Sequence, residues 1–521
     1  MAESIWSLIP PLLAIIMVLL TRRVLISLGV GIVASALFIT HFQVIDSLDL
    51  MLGALTGVFL ENGGLNTWNV YIIFFIFILG IITNFVGLMG GTRAFGDWMI
   101  RRVKTRMGAQ IMTILLGIAL FIDDYFNSLT VGQVARPITD KHRISRAKLA
   151  YIVDSTAAPV CVIAPVSSWG AYILGLIGMV LTTHQIVDYT ELGAFLLMIP
   201  MNFYVWAALG VVLVIAIRQV DFGPMKKHEA HALKTGEVSP PDSKTFIDPD
   251  SGPTSSLGKM MDLIVPIIVL FIATIGFIFW TGVQGLEEKG SLITIFGEAD
   301  VSKSLFYGGL ISLLTTFLFY LRHVIKGQLS GGHFFGGILN GIKSMLPAVM
   351  ILILAWTITD LIDQLGTGTF LADVVKNSNI SFALLPFIIF IMAGLIAFST
   401  GTSWGSFALL LPIAGQIAAA THMELILPML AAVLAGAVFG DHCSPISDTT
   451  ILSATGANCH HIDHVMTQLP YSIVAAVIAG AGYLTLGFTG SVWIGLIIVF
   501  VGLVVLYFTL KKPESEDCMS R

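Results

Sequence analysis

Apolar runs about as long as a membrane-spanning helix alternate with short polar stretches along most of the chain. A helix that crosses the hydrocarbon core needs roughly 20 apolar residues. The pattern predicts uninterrupted spans at residues 7–20, 24–40, 70–90, 193–217, 262–281, 304–321, 344–365, 471–487 and 492–510. Composition agrees, since 56% of the 521 residues are hydrophobic and only 11% are charged. We therefore expect an all-α polytopic membrane protein.

The distribution of positive charge predicts which side of the membrane each loop faces, because Lys and Arg are enriched in cytoplasmic loops. Basic residues cluster in the polar stretches at residues 22–23, 93–106, 141–148, 322–326 and 511–512. Residues 41–69 contain carboxylates but no Lys or Arg, which is typical of an external loop. We expect a multi-pass protein of the cell (inner or plasma) membrane, with its N-terminus outside and its C-terminus in the cytoplasm.

Residues 108–140 are apolar at both ends and polar in the middle, where Asp123 and Asp124 interrupt the pattern. Basic stretches flank both ends, so both ends are predicted to lie in the cytoplasm. Because each arm is short, we expect a re-entrant hairpin with the two carboxylates near its tip. The alternative is a pair of ordinary spans with the Asp pair in an external loop.

Two further apolar stretches, 148–183 and 425–456, are opened by polar residues and prolines at 154–159, 165–170 and 440–450. Proline removes a backbone donor and clashes with the preceding helical turn. In lipid, such a break survives only where it is buried in protein or lines a wet cavity. We expect two broken helices; for the second, the alternative is a short cytoplasmic loop.

Weak internal similarity at a shift of about 277–280 positions divides the chain into two halves. Each predicted half has about five spans and one hairpin, and an odd number of spans requires the second copy to be inverted. The predicted organisation is listed in chain order: a first half at 1–217, a flexible cytoplasmic linker at 218–261, an inverted second half at 262–490 with a hairpin at 383–422, and a last span with a tail at 491–521.

Inverted repeats of transporters hold their substrate site between the halves, near the middle of the membrane. The polar breaks should therefore converge there. Hard cations such as Na⁺ prefer oxygen ligands, and an intramembrane carboxylate is by default a functional-site candidate. The candidate substrate- and ion-binding residues are Asp123, Asp124, Asn127, Asp154, Ser155, Thr156, Ser167, Ser168, Thr400, Thr402, Ser403, Asp441, His442, Ser444, Ser447, Asp448 and Thr449.

Four of these carboxylates are the predicted Na⁺ ligands: Asp123, Asp154, Asp441 and Asp448. Burial favours the protonated form of a carboxyl group, whereas a bound cation favours the ionised form. One Asp can therefore carry either H⁺ or Na⁺, and this competition is the basis of cation/proton exchange.

Each candidate also has a structural alternative. Asp123 or Asp124 could simply cap a helix N-terminus, and Asp154 could pair with a basic residue at the inner surface. His442 is equally compatible with a proton relay and with a structural hydrogen bond. Cys459, His460, His461 and His464 resemble metal ligands, but we expect them in a cytoplasmic loop, either solvated or as a pH-sensing surface.

At these motifs the chain resembles the NhaC family of Na⁺/H⁺ antiporters, in the ion-transporter superfamily. The resemblance covers nearly the full chain. The motifs that carry it are FIDDYFN at 121–127, DSTAAPV at 154–160, GDHCSPISDTTI at 440–451 and HVMTQLPY at 464–471. Similar proteins exchange malate and protons for lactate and Na⁺, and others are assigned to amino-acid uptake. The resemblance implies a Na⁺- and H⁺-linked secondary carrier, and by analogy a homodimer.

Two functions follow from the sequence. The first is Na⁺/H⁺ antiport by alternating access, with a small polar site. The second is Na⁺- or H⁺-coupled transport or exchange of an organic anion or amino acid, with Trp169 or Trp404 at the wall of a pocket. We expect no enzyme activity, no cofactor beyond the transported ions and no nucleic-acid partner, because no triad or metal-ligand spacing stands at a suitable depth.

Overall fold

The protein is described from a computed structural model. The described residues are 4–21, 23–61, 63–239, 255, 257–286, 295, 299–366, 370, 381–445 and 447–510. Residues 240–254 and 256 of the predicted linker, Arg22 in the first basic loop, Ile446 in the second break and the lysines at 511–512 lie outside them. Within these residues the fold is helical, apart from the antiparallel two-residue strands β1 (Leu60–Glu61) and β2 (Gly64–Leu65).

In the described residues, twelve α-helices precede the predicted linker and a thirteenth lies at its start. They are α1 (Ile9–Thr21), α2 (Val24–Ile39), α3 (Val44–Gly57), α4 (Thr67–Met89), α5 (Gly91–Arg102), α6 (Arg106–Ala119), α7 (Asp124–Lys141), α8 (Arg146–Thr156), α9 (Ala158–Cys161), α10 (Ser168–Thr183), α11 (Glu191–Met198), α12 (Phe203–Arg218) and α13 (Met225–Thr235).

The helices after the linker are longer. They are α14 (Met261–Gly285), α15 (Val301–Ile325), α16 (Gly331–Gln364), α17 (Leu385–Thr400), α18 (Ser403–Thr421), α19 (Ile426–Cys443), α20 (Asp448–Ala457), α21 (His461–Thr489) and α22 (Val492–Thr509). Short 3₁₀ turns precede α1, α17 and α19.

Nine helices of the described part are long and apolar enough to cross a membrane. α11 and α12 together form one more such segment, bent by 43°. The prediction of an all-α polytopic membrane protein is confirmed.

The predicted hairpins and breaks coincide with helix ends. α6 ends at Ala119 and α7 begins at Asp124, whereas α17 ends at Thr400 and is followed by Gly401, whose positive φ of 70° glycine adopts without strain. The other two breaks separate α8, α9 and α10, and α19 from α20. The same succession of hairpin and broken helix therefore occurs in both halves. α17 and α18 are each long enough to span, so re-entrant entry and inversion stay predictions.

The structure differs from the sequence analysis at three places. The predicted external loop contains α3 and the β-hairpin. The span predicted to begin at residue 344 belongs to α16, a 34-residue helix that starts at Gly331 and includes Lys343. The first part of the predicted flexible linker forms α13, whose Glu229 is buried. Glu229 accepts a hydrogen bond from the Ser145 backbone at 2.7 Å and pairs with Arg106, and these partners hold α13 in place.

The two halves pack closely where α7 crosses α20. A Cβ atom on Gly132 would lie 2.4 Å from the carbonyl carbon of Gly456, and one on Gly456 would lie 2.4 Å from the Ser128 carbonyl oxygen. Only glycine permits this backbone approach. The crossing brings the first hairpin against the second helix break.

Candidate functional site

The tip of the first hairpin is tied to the first broken helix through Asp123. Its Oδ1 accepts a hydrogen bond from the Phe126 backbone at 3.0 Å, which caps α7. Its Oδ2 accepts one from the Ser168 hydroxyl at 2.8 Å, and the Ser168 backbone N–H donates to the Ile122 carbonyl at 2.8 Å. Asp123 is therefore a helix cap, as the structural alternative proposed, and also a link between two helix breaks.

The second half has the same link with the roles of its residue types exchanged. Asp441, near the end of α19, accepts hydrogen bonds at Oδ2 from the Ser403 backbone at 3.0 Å and from the Ser403 hydroxyl at 2.7 Å. Here the serine lies on the hairpin and the carboxylate on the broken helix. Both aspartates are almost completely buried.

Two contacts join these links across the halves. Tyr125 on α7 donates from its hydroxyl to Asp448 at the start of α20. The rings of Trp169 and Trp404 meet edge to face with centroids 5.6 Å apart. The four polar breaks therefore lie around one region, and both Trp rings are buried in its wall.

Asp124 is the least satisfied carboxyl group of this region. It is 1% exposed, and its Oδ2 has no hydrogen-bond partner. It lies within electrostatic range of Asp123, Asp441 and Asp448. Among the ion pairs formed by the described residues, none brings a Lys, Arg or His to these four aspartates. Three buried aspartates and the half-buried Asp448 thus lie close together without a basic partner in the described part of the chain.

Asp154 is organised differently. Its Oδ2 accepts hydrogen bonds from Thr450 at 3.1 Å, His464 at 3.1 Å and Gln468 at 2.6 Å, while its Oδ1 has no partner. Asp154 does not pair with Lys148, which pairs with Asp221 at 2.7 Å; the basic residue beside Asp154 is His464, whose Nε2 lies 3.1 Å from Oδ2.

His464 and Gln468 are absent from the candidates, and the expectation that His464 is solvated is wrong, since it is fully buried. The available signal was their spacing: His464 and Gln468 are four residues apart on α21, so they lie on one face of that helix.

His442 uses both ring nitrogens. Nε2 lies 3.2 Å from the Ser155 hydroxyl and Nδ1 lies 2.8 Å from the Tyr204 hydroxyl, so one break contacts the other directly. Asp154 and His442 also share Gln468, which donates to the His442 carbonyl. These residues form one buried network, which we call the Asp154 network: Asp154, Ser155, Tyr204, His442, Thr450, His464 and Gln468.

Several predicted hydroxyl groups bond to the main chain, within their own helix or, for Ser444, on a neighbouring one. Ser167 and Ser447 cap α10 and α20 by accepting from backbone N–H groups. Thr156, Thr400 and Ser444 donate to main-chain carbonyls of residues 152, 397 and 398. Three predicted residues remain. The amide nitrogen of Asn127 donates to three carbonyls, including that of Gly117 at 2.7 Å. The Thr449 hydroxyl lies 2.9 Å from that of Ser447, and Thr402 is the half-buried residue before α18.

The four predicted Na⁺ ligands do not form one ligand shell. No group of three His, Cys, Asp or Glu side chains is arranged for a metal ion within the described residues. A Na⁺ ion in this region would therefore need hydroxyl and carbonyl oxygens beside the carboxylates.

Two cavities lie along the antiparallel pair α4 and α16. One, of about 540 Å³, reaches Asp123 and Tyr125 and extends past Asn340 to His333, near the basic loops. The other, of about 620 Å³, lies toward the opposite ends of the same helices and is lined by Glu61, Glu191 and Asp360. The first cavity leads to the carboxylates, so the structure is open to them from the basic side.

The comparisons with known proteins agree with this architecture. A protein of Haemophilus influenzae described as uncharacterized is 43% identical over 514 residues, covering 98% of this chain and 96% of its own. The malate-2H(+)/Na(+)-lactate antiporter of Bacillus subtilis is 36% identical over 162 residues, 29% of this chain and 32% of that protein. The YdaH transporter of Alcanivorax borkumensis shares the fold, with a TM-score of 0.52, 13% identity and coverage of 89% and 90%.

Residues 160–488 match the model of the Na+/H+ antiporter family. The many apolar helices and this match make the chain a secondary membrane transporter. It belongs to the Na+/H+ antiporter family.

Proposed function

We propose that this transporter exchanges Na⁺ for H⁺ by alternating access, exporting Na⁺ as H⁺ enters. The observation that carries the proposal is the cluster of buried Asp123, Asp124 and Asp441 beside the half-buried Asp448, without a basic partner in the described residues. An isolated ionised carboxylate is very costly to bury. Each of these groups must therefore be protonated or neutralised by a bound cation, and replacing one by the other is the exchange reaction.

The hydrogen bonds indicate where an ion would be held. Asp123 and Asp441 already accept from Ser168 and Ser403, while Asp441 Oδ1 and Asp124 Oδ2 have no partner. Buried acceptors without donors need a proton or a cation. Asp124 and Asp441 are therefore the groups whose occupancy we expect to alternate.

Access would change by relative motion of the halves. The cavity at Asp123 opens on the side of the basic loops, which we assign to the cytoplasm. The buried rings of Trp169 and Trp404 close the region on the other side. With this assignment the N-terminus would lie outside the cell, and the open side would be the one that takes up Na⁺ from the cytoplasm.

A second function is favoured by one relative and one cavity. The Bacillus subtilis relative is named as an exchanger of organic acids, and a cavity of about 540 Å³ beside Asp123 exceeds what one hydrated ion needs. Na⁺- or H⁺-coupled movement of an organic anion or amino acid is therefore the alternative. No cationic side chain pairs with the four aspartates in the described residues, so backbone N–H groups at the helix breaks would have to hold an organic carboxylate.

Proteoliposomes containing a trapped pH-sensitive dye test both functions. Antiport predicts proton movement when a Na⁺ gradient is applied without any organic solute. Proton movement only in the presence of a hydroxy acid or an amino acid would replace the proposal by the alternative. D124N and D441N should each abolish the Na⁺-driven signal, whereas D360N, in the opposite cavity, should retain it. The homodimer implied by the family resemblance is tested separately by light scattering.

A further inference from the structure

An apolar groove of about 800 Å³ lies between α6, α12 and α22. Ile118, Leu213 and Phe500 represent its lining from the three helices, and each is at least 40% exposed. Trp206 and Trp493 stand near the beginnings of α12 and α22 and line the groove as well.

The other ends of the same helices carry positive charge. Arg218, the last residue of α12, donates to the Leu510 carbonyl at 2.6 Å and stacks over Tyr507, with 4.8 Å from its guanidinium carbon to the ring centroid. A cavity of about 430 Å³ lies where α12 and α22 end and α6 begins, with Arg106, Lys226 and Leu510 in its lining together with the carboxylates of Asp221 and Glu229. Polar and apolar cavities therefore adjoin the same helix trio.

Charge at this end is not balanced. Arg106 pairs with Glu229, and Lys148 pairs with Asp221 at 2.7 Å. Arg218 and Lys226 form no ion pair with any carboxylate of the described residues. Arg218 Nε also lacks a hydrogen-bond partner. Two cations thus lack a carboxylate partner among the described residues and can attract an anionic group.

The dimensions fit one leaflet. From Trp206 to Arg218, α12 rises about 18 Å at 1.5 Å per residue, and one leaflet of hydrocarbon is about 15 Å thick. An acyl chain beginning at Arg218 would therefore end near the tryptophans.

We propose that the groove binds an acyl chain of an anionic phospholipid, with the phosphate at Arg218 and Lys226. Three features of the groove select this occupant: the positive charge at one end, the apolar lining and the length. The site is independent of the transported cargo.

The site would act on the transporter through α6. The face of α6 opposite the groove packs on the first broken helix, because a Cβ on Gly117 would lie 2.0 Å from the Thr156 hydroxyl. α6 leads directly to the hairpin tip at Asp123. A lipid in the groove would therefore support the hairpin from behind.

Tryptophan quenching by brominated lipids tests the proposal. The full-length protein is placed in phosphatidylcholine vesicles containing increasing fractions of dibrominated phosphatidylglycerol or dibrominated phosphatidylcholine. The signal of Trp206 is obtained by subtracting the W206F variant. We expect half-quenching by the glycerol lipid at an about fivefold lower mole fraction, the factor that one basic side chain near a charged surface supplies.

K226Q should reduce this preference, whereas K227Q, which changes the neighbouring exposed lysine outside the cavity lining, should not. L213W fills the groove and should lower the phospholipid phosphate retained after detergent exchange, compared with L314W on lipid-facing α15. Equal quenching by both lipids would overturn the proposal, because it marks ordinary lipid contact. A dimer that protects Trp206 from both lipids would also overturn it and assign the groove to a second copy of the chain.

Discussion

The hydroxyl of Tyr125 donates a hydrogen bond to the carboxylate of Asp448, although 323 residues separate them in the chain. The bond joins the tip of the first hairpin to the start of α20 in the second half. Any motion that separates the halves at this point must break it, so it is well placed to report on the transport cycle.

Y125F should weaken the contact between the halves while leaving the chain folded. Hydrogen bonds to charged groups contribute about 1.5–3 kcal/mol. Without the Tyr125 hydroxyl, Asp448 Oδ2 loses the donor that joins the two halves. We therefore expect Na⁺-driven proton flux in proteoliposomes to fall at least about tenfold. Y320F removes a hydroxyl that donates to the Ser330 carbonyl, away from the carboxylates, and should transport normally. Equal flux in Y125F and wild type would contradict a role for this bond.

S403A removes one of the two donors to Asp441 Oδ2. Without this donor the ionised form of Asp441 is less stable, so protons bind there more readily and Na⁺ binds less readily. We expect the Na⁺ concentration for half-maximal flux to rise about tenfold at neutral pH, with a smaller rise at alkaline pH, where fewer protons compete. S406A, whose hydroxyl donates only to the Thr402 carbonyl, serves as the control. A rise that is the same at every pH would argue against competition at Asp441.

His464 is expected to matter through its bond to Asp154. H464Q keeps a donor at this position but cannot carry a second proton. We expect the variant to be produced at normal levels, the transport rate to fall about tenfold and the pH dependence of transport to change. H461Q changes a half-buried histidine whose side chain, among the described residues, lies against the Pro445 carbonyl. The pH dependence of its transport should match that of wild type. An unaltered profile in H464Q would make the bond purely structural.

The contacts of α13 predict a stability effect outside the membrane. Glu229 is 5% exposed at its side chain and pairs with Arg106, which is 20% exposed. Removing one member of such a pair leaves the other charge uncompensated, so E229Q should lower the free energy of unfolding by about 3 kcal/mol. E237Q, at a side chain that is 66% exposed, should change it by less than about 0.5 kcal/mol. Thermal melting in detergent measures both, and equal melting temperatures would refute the assigned role of α13.

The local structure around the breaks was predictable from the residues alone. Pro159, Pro165 and Pro445 stand within apolar stretches, and the helices end or open beside each of them. A proline within such a stretch removes a backbone donor wherever the chain folds. Ser167 and Ser447 were likewise predictable as polar residues at the breaks, although not as the caps that they form.

The partners of those residues were not predictable. Ser403 lies 38 residues from Asp441, Ser168 lies 45 residues from Asp123, and His464 lies 310 residues from Asp154. Periodicity describes one helix at a time, so it placed His464 in a solvated loop and left α13 as a linker. The helix boundaries near Lys343 failed for a related reason, because a lysine at a membrane surface does not end a helix.

The sequence by itself determined that the chain lies in a bilayer and where its helices break. Long apolar runs require a bilayer, and prolines beside carboxylates prevent those runs from continuing as regular helices. Tertiary structure decided which carboxylates meet, which of them gain donors and which stay without a partner. The reason is that hydrophobicity and backbone geometry act locally along the chain, whereas the satisfaction of a buried charge depends on atoms that folding brings from hundreds of residues away.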